Sequence, residues 1–222
     1  MTESRSREPS ATRDPALHRI VGAVLHAPQS YDLMLGLLFM GRERRFREKL
    51  LSLASLRRSE FVLDVGCGTG SLAILAKEQV GPVGAVRGID ASPEMIARAR
   101  VRARRAGVEV DFREAPAQAL PFPDAQFDVV LSTLMLHHLP RSARAQLASE
   151  VRRVLKPGGR LLVVDFTKST RRSGLGLHRG HGKSDPDEIT AILTGAGLRV
   201  VVSGPVGAKS LHFVLAASPS QS

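Results

Sequence analysis

Two rhythms of apolar positions divide the chain. Leu35, Leu38, Phe39, Phe46, Leu50 and Leu53 recur at helical spacing, with Arg42, Arg44, Arg45 and Arg47 largely on other faces. From residue 61 the texture changes. A short apolar run over 61–65 closes on Gly66-Cys67-Gly68-Thr69-Gly70, and 71–79 continues as a helix. Residues 83–89 read as a second strand. Ser92-Pro93-Glu94 opens another helix, with Ser92 as cap and Pro93 at the favoured first position. Three more strands are expected at 108–112, 127–131 and 160–164, with a helix near 141–155 before the last. A final helix over 185–196, capped by Ser184 or Asp185, precedes strands near 198–203 and 209–216 joined by a Gly/Pro turn. No internal repeat is visible.

Strands alternating with helices predict parallel βαβ units with right-handed crossovers. The expected fold is an α/β Rossmann-like three-layer sandwich. Its sheet is mostly parallel and seven-stranded, with one antiparallel strand near an edge supplied by the closing pair. Residues 1–18, polar and rich in Ser, Arg and Pro, read as a disordered tail without the apolar core of a signal peptide. Residues 19–58 form a helical cover, and 59–217 a single ligand-binding domain.

Composition adds limits more than identity. With 43% hydrophobic and 24% charged residues, the chain has the make-up of a soluble globular protein. The most apolar stretch, 33–40, is far short of the roughly 18 residues of a membrane span, so the chain is expected to be soluble or peripherally bound. Against 21 acids stand 32 Lys and Arg, a formal charge of +11 that favours acidic partners. The excess is spread along the chain, and one Tyr and no Trp leave few platforms for stacking bases, which disfavours nucleic acid. The single cysteine, Cys67, excludes an internal disulfide and fits a reducing cytoplasm.

The chemistry concentrates in Val62-Leu63-Asp64-Val65-Gly66-Cys67-Gly68-Thr69-Gly70. Glycines at alternate positions let the backbone turn sharply beside a ligand, and the helix start offers free N–H groups. Asp90, closing the second strand, can accept hydrogen bonds from both hydroxyls of a ribose. A dinucleotide site prefers G-x-G-x-x-G with a pyrophosphate on the helix N-terminus. Here the third glycine comes one position early, and Asp64 would put a carboxylate beside that pyrophosphate. A cofactor with a cationic amino-acid end and no phosphate suits the site better; S-adenosylmethionine (SAM) carries both a sulfonium and an ammonium group.

Residues 62–70 resemble motif I of the class I SAM-dependent methyltransferases, and Gly88-Ile89-Asp90-Ala91-Ser92-Pro93-Glu94-Met95 resembles the segment that follows it. Leu120-Pro121-Phe122, Phe127-Asp128-Val129-Val130, Leu136-His137-His138-Leu139 and Val154-Leu155-Lys156-Pro157-Gly158-Gly159 complete the family's order. The resemblance spans roughly residues 28 to 216 and is closest to the branch of ubiquinone/menaquinone-biosynthesis and related small-molecule methyltransferases. It implies that Gly66, Cys67, Gly68 and Gly70 form the loop around the methionine part of SAM, with Asp64 supporting its ammonium group. Asp90 holds the ribose, Ala91 and Met95 pack near the adenine, and Ser132, just past the fourth strand, offers a backbone carbonyl to the ammonium group. Tyr31, in a Tyr31-Asp32 pair of the helical cover, either reaches the cofactor or packs the lid. One departure stands out: the family often has Gly-Asp-Ala where this chain has Ala115-Pro116-Ala117, so the adenine-binding acid is missing, and either Glu114 substitutes after a shift or backbone atoms of Ala117 and Gln118 suffice.

Methyl transfer is an in-line displacement that depends largely on positioning. A base is needed only when the acceptor must lose a proton, and His137 and His138 are the candidates; the alternative is a structural pair. The product is S-adenosylhomocysteine, and the acceptor a small molecule, acidic or lipid-like. The segment 166–183 carries Lys168, Arg171, Arg172, Arg179 and Lys183 without an acid and could gather such an acceptor. Its His178 and His181 lack a third ligand, so no metal is expected. Arg98, Arg100, Arg102, Arg104 and Arg105 alternate too closely for one helix face and read as a solvated surface. The rival readings are a catalytically silent SAM-binding protein, with Pro116 as its mark, and a nucleotide-dependent oxidoreductase. Oligomeric state and the methylated atom stay open.

Overall fold

A computed structural model describes residues 42–167, 185–207 and 210–220. The tail, Tyr31, most of the helical rhythm before 42, and the basic segment from 168 to 183 lie outside them.

Helix α1 (Glu43–Leu53) buries Leu50 and Leu51 and leads into strand β1 (Phe61–Val65), where four consecutive residues after Phe61 are buried. Such an unbroken apolar strand needs cover on both faces, which βαβ crossovers supply. Helix α2 (Ser71–Val80) starts directly after Gly70, whose φ of 79° turns the chain sharply from strand to helix. Strand β2 (Ala85–Asp90) is followed by helix α3 (Pro93–Ala106), which opens as the residue types predict: Ser92 Oγ accepts from the Met95 N–H at 3.2 Å and Pro93 takes the first turn. Then come β3 (Asp111–Glu114), β4 (Phe127–Thr133), a single 3₁₀ turn (Leu136–His138), α4 (Arg141–Val154) and β5 (Leu155–Phe166). Helix α5 (Pro186–Gly195), capped by Asp185, precedes β6 (Arg199–Pro205) and β7 (Leu211–Ala217).

The seven strands lie in the order β3-β2-β1-β4-β5-β7-β6. Only β7 runs against the rest, antiparallel to both β5 and β6, one place in from the edge. Alternate residues of the central strands face two cores. Val62, Val129, Leu131 and Leu162 meet α1, α2 and α3; Leu63, Val130, Leu161 and Val163 meet α4 and α5. Arg160 ties the approach to β1 onto β5: its guanidinium meets Glu60 at 2.9 and 2.8 Å and donates to the carbonyls of Ala54 and Ser55.

Boundaries shift where local chemistry outvotes apolar pattern. Strand β2 begins two residues later than expected because Val83, 74% exposed, sits on a surface turn. Strand β3 moves to 111–114, leaving Val108 and Val110 packed against the core as its approach. Ser132 lies inside β4, not past it, between Val65 of β1 and Val163 of β5. On α3 the five arginines divide, as expected, between sides: Arg98, Arg102 and Arg105, at i, i+4 and i+7, line one groove, and Arg100 and Arg104 another.

The chain leaves β1 for β2 on one side, while β4 lies on the other. That reversal opens a crevice at the carboxyl ends of β1 and β4, the usual ligand position in such sheets. Gly70 shapes its entrance. A Cβ there would meet Phe112 Cζ at 2.7 Å and Ala99 Cβ at 2.9 Å, in a backbone conformation L-residues avoid. Gly70→Ala is expected to cost about 2–4 kcal/mol of stability, from left-handed strain plus overpacking. A denaturant titration reads this directly, and an unchanged midpoint would show that the tight contact is relieved elsewhere.

Candidate functional site

Asp64 is the fourth residue of β1, and the strand's alternation turns it toward α1 and α2 at the mouth of the crevice. It is 1% exposed, and neither carboxylate oxygen has a hydrogen-bond partner among the described residues. Burial raises its pKa to about 7, opposed by the Arg47 charge and reinforced by the Asp90 charge. Beside it is a narrow cavity whose walls include Arg47 and Leu50 from α1, Gly66, Cys67 and Thr69 from the loop, and Thr133 and Leu134 after the body of β4. A carboxylate without a partner, facing a cavity with a guanidinium on its other wall, is matched to a zwitterion.

The glycine loop gives most of its N–H groups to the fold. Those of Gly66 and Cys67 both donate to the Ile89 carbonyl at 2.9 Å, and that of Gly70 donates to the Cys67 carbonyl at 2.9 Å. Gly68 N–H donates to Asp90 Oδ2 at 2.9 Å, and Ser92 N–H to Asp90 Oδ1 at 2.9 Å. Asp90 therefore stitches the loop to the start of α3 while standing at the end of β2. Its pKa is raised by burial, with the Ser92 and Gly68 N–H groups pulling the other way. Gly66 is packed from outside: a Cβ on it would strike Met135 Cγ. Cys67 is buried, and burial pushes its thiol well up, so it packs as a small apolar residue with no thiolate character.

Around Asp90 lie the other residues that the sequence singles out. Ala91 is half-buried, Met95 is 2% exposed at the start of α3, and the Ala115 N–H donates to the Asp90 carbonyl at 3.1 Å. Ala117 and Gln118 follow on a turn in which the Ala119 N–H donates to the Pro116 carbonyl at 3.2 Å; both are half-buried. Pro116 is buried there, with no carboxylate in its place.

The fourth corner is the turn after β4. Asp165, near the end of β5 and 1% exposed, accepts from three groups: His137 Nδ1 at 2.6 Å, the His137 N–H at 2.8 Å and the Phe166 N–H at 2.7 Å. With Nδ1–H held by the carboxylate, Nε2 of His137 is the basic nitrogen. Arg144 of α4 clamps the same turn, its Nε donating to the carbonyls of Leu136 at 3.0 Å and Leu139 at 2.9 Å. The His138 ring lies 3.9 Å from that of His137, and its pKa is lowered by burial and then by the His137 charge. Because Met135 packs on Gly66, this turn lies directly against the glycine loop.

Asp64, Gly66, Cys67 and Thr69 thus come together on one cavity, with Asp90 bound to Gly68 behind it. Ser132 remains within the sheet, and Thr133 and Leu134 line the cavity beyond it. Sequence reasoning missed Arg47 and Asp165. Arg47 is one of four arginines within six residues that read as largely on outer faces, yet its side chain is only 13% exposed and borders the cavity. Asp165 carried a usable signal: like Asp64 and Asp90, it is an acid at the carboxyl end of an apolar strand.

The family model described as a methyltransferase domain matches residues 62–159. A demethylmenaquinone methyltransferase of Thermus thermophilus is 42% identical over 136 residues, 61% of this chain and 60% of that protein. A chloroplastic 2-phytyl-1,4-beta-naphthoquinone methyltransferase of Arabidopsis thaliana is 37% identical over 145 residues, 64% of this chain and 55% of that protein. The matched part of the chain thus spans little more than half the length of these relatives. Among solved structures, a SAM-dependent methyltransferase from Aquifex aeolicus is 28% identical with a TM-score of 0.64, covering 77% of this chain and 88% of that one. The cyclase SpnF, 21% identical with a TM-score of 0.72 over 91% of this chain and 100% of that one, shares the fold. The unpartnered buried acid and the glycine loop fit SAM; residues 62–159 match a methyltransferase domain, the ordered motifs and sheet order resemble those of the class I SAM-dependent methyltransferases, and the chain is similar to enzymes of quinone biosynthesis.

Proposed function

We propose that this chain transfers the methyl group of SAM to a ring carbon of a naphthoquinone-type acceptor in its reduced, quinol state. The observation that carries the donor half is the unpartnered Asp64 carboxylate facing Arg47 across the cavity. The acceptor half rests on the relatives, whose names specify demethylmenaquinone and a phytyl naphthoquinone, and on a third, a C-methyltransferase of ubiquinone and menaquinone biosynthesis, 36% identical over 152 residues.

Bound SAM supplies a methyl group made electrophilic by the sulfonium. In this reading Asp64 and Arg47 fix the two ends of its amino acid. Asp90 holds the ribose, and Ala91, Met95, Ala117 and Gln118 surround the adenine. His137, oriented by Asp165, takes the quinol hydroxyl proton on Nε2. The ring carbon beside the oxygen then gains the electron density to form the new C–C bond as the S–CH3 bond breaks, its pair staying on sulfur. Loss of the ring proton restores aromaticity, so one proton is released overall. A quinol is required because an oxidised quinone ring is itself an electrophile. Holding base, ring and methyl in register supplies much of the acceleration.

A second reading, a silent SAM-binding protein, draws on Pro116 in place of the adenine-binding acid and on a fold neighbour named as a cyclase. Incubating the chain with SAM and a demethylated naphthoquinol decides between them: methylated quinol supports transfer, and SAM uptake without turnover on this acceptor supports the silent reading.

The Asp64 pKa has a sign that can be measured. Its folded value near 7 lies above the ordinary 3.8, so the folded chain without ligand holds this proton more tightly than the unfolded chain. That contribution to stability is present below pH 4 and is lost as pH rises through 7. Cofactor binding wants the ionised form, so SAM affinity should be about tenfold weaker at pH 6 than at pH 8. Calorimetry on Asp64→Asn should give weak binding with this pH dependence gone; an Asp64→Asn variant that binds as tightly as the parent refutes the ammonium contact. On the acceptor side, His137→Ala should lower kcat about a hundredfold while SAM affinity is unchanged. Unaltered turnover would assign the histidines a structural role.

A further inference from the structure

Helices α1, α2 and α3 enclose an open groove of about 650 Å³ on the side of the sheet that carries the Asp64 cavity. Arg44 and Arg47 border it from α1, and Arg98, Arg102 and Arg105 face them from successive turns of α3. Two carboxylates, Glu43 and Glu78, stand among these five guanidiniums, each already engaged: Glu43 with Arg47, and Glu78 with Arg44 at 3.2 Å. The groove keeps a clear positive excess. Its floor is apolar, formed by Ile74 and Leu75 of α2. It is continuous with the proposed cofactor site, because Arg47 and Ser71 line both spaces.

We infer that this groove docks the chain on a lipid bilayer by taking the anionic headgroup of a phospholipid. The inference rests on the quinone reading for its motive. An acceptor with a long hydrocarbon tail, such as the phytyl group in one relative's name, partitions into a bilayer. No helix among the described residues is long and apolar enough to cross a membrane. A headgroup phosphate is matched by convergent guanidiniums, which bind its oxygens in pairs. The glycerol and the first methylenes are matched by the Ile74 and Leu75 floor. A nucleic-acid backbone also carries phosphate, but the described lining of the groove has no aromatic ring to stack a base.

The test is sedimentation of the full chain with vesicles of phosphatidylcholine alone and of phosphatidylcholine containing a quarter phosphatidylglycerol. The parent should bind only the mixed vesicles, and less at high salt. The double variant Arg98→Gln/Arg105→Gln should lose roughly thirtyfold of that affinity while keeping SAM binding, which shows that it is folded. Arg57→Gln/Arg58→Gln, exposed residues that do not line the groove, should lose far less. Equal binding to neutral vesicles would overturn the proposal. So would undiminished binding by the groove variant, a larger loss from the outside pair, or displacement of the vesicles by stoichiometric single-stranded RNA. Vesicle binding through the groove without methylation of a naphthoquinol would leave the docking site standing and remove only the acceptor assignment.

Discussion

An ionised carboxylate taken out of water with nothing to bond it costs on the order of several kcal/mol, and Asp64 stands in that position at the end of an interior parallel strand. The chain relieves the cost with partial protonation, with the distant Arg47 charge and with the nearby Ala73 N–H of α2, which falls short of a full hydrogen bond. A site left this way is complementary to a cation that arrives from outside. The surrounding geometry follows from that requirement. The loop after Asp64 must be thin enough for a ligand to approach, which explains glycine at 66, 68 and 70. It must also be rigid, which explains why Ile89 and Asp90 absorb its amide protons.

Two other strands end in acids with a different economy. Asp90 and Asp165 are each bonded by N–H donors, and each immobilises the segment in front of it: the glycine loop for Asp90, the histidine turn for Asp165. The crevice is thus bounded by one hungry carboxylate and two satisfied ones. The contrast separates a group that receives a ligand from groups that hold receivers in place. Asp90 has room for both tasks, since its oxygens can accept further bonds from hydroxyls.

Much of this was legible in the residues. Short apolar runs and the period-3.6 pattern located every described strand and α-helix, and cap chemistry marked two helix starts, at Ser92-Pro93 and at Ser184 or Asp185, of which Asp185 is the cap. Apolar pattern failed at Val83 and Val108 because a surface turn can carry a valine at little cost, and pattern cannot tell a turn from a strand. The donor loop was readable because glycine spacing and two acids each carry their own chemistry. Arg47 was not, since charge in a run of arginines says nothing about which guanidinium the helix turns inward. Nor was the face shared by Arg98, Arg102 and Arg105, which emerges only when the intervening Arg100 and Arg104 are set aside. The resemblance to known methyltransferases reached the cofactor and stopped short of the acceptor, because the histidine turn and the basic groove are built from tertiary contacts between distant segments.

The missing side chain at Gly66 has a last consequence. Met135 fills the space a Cβ would occupy, so the glycine loop and the turn that carries His137 share one van der Waals wall. The two halves of the crevice are therefore not independent modules. Bulk added on one side has to be removed from the other, and a homologous chain with a larger residue at the first glycine should carry a smaller one where this chain has methionine.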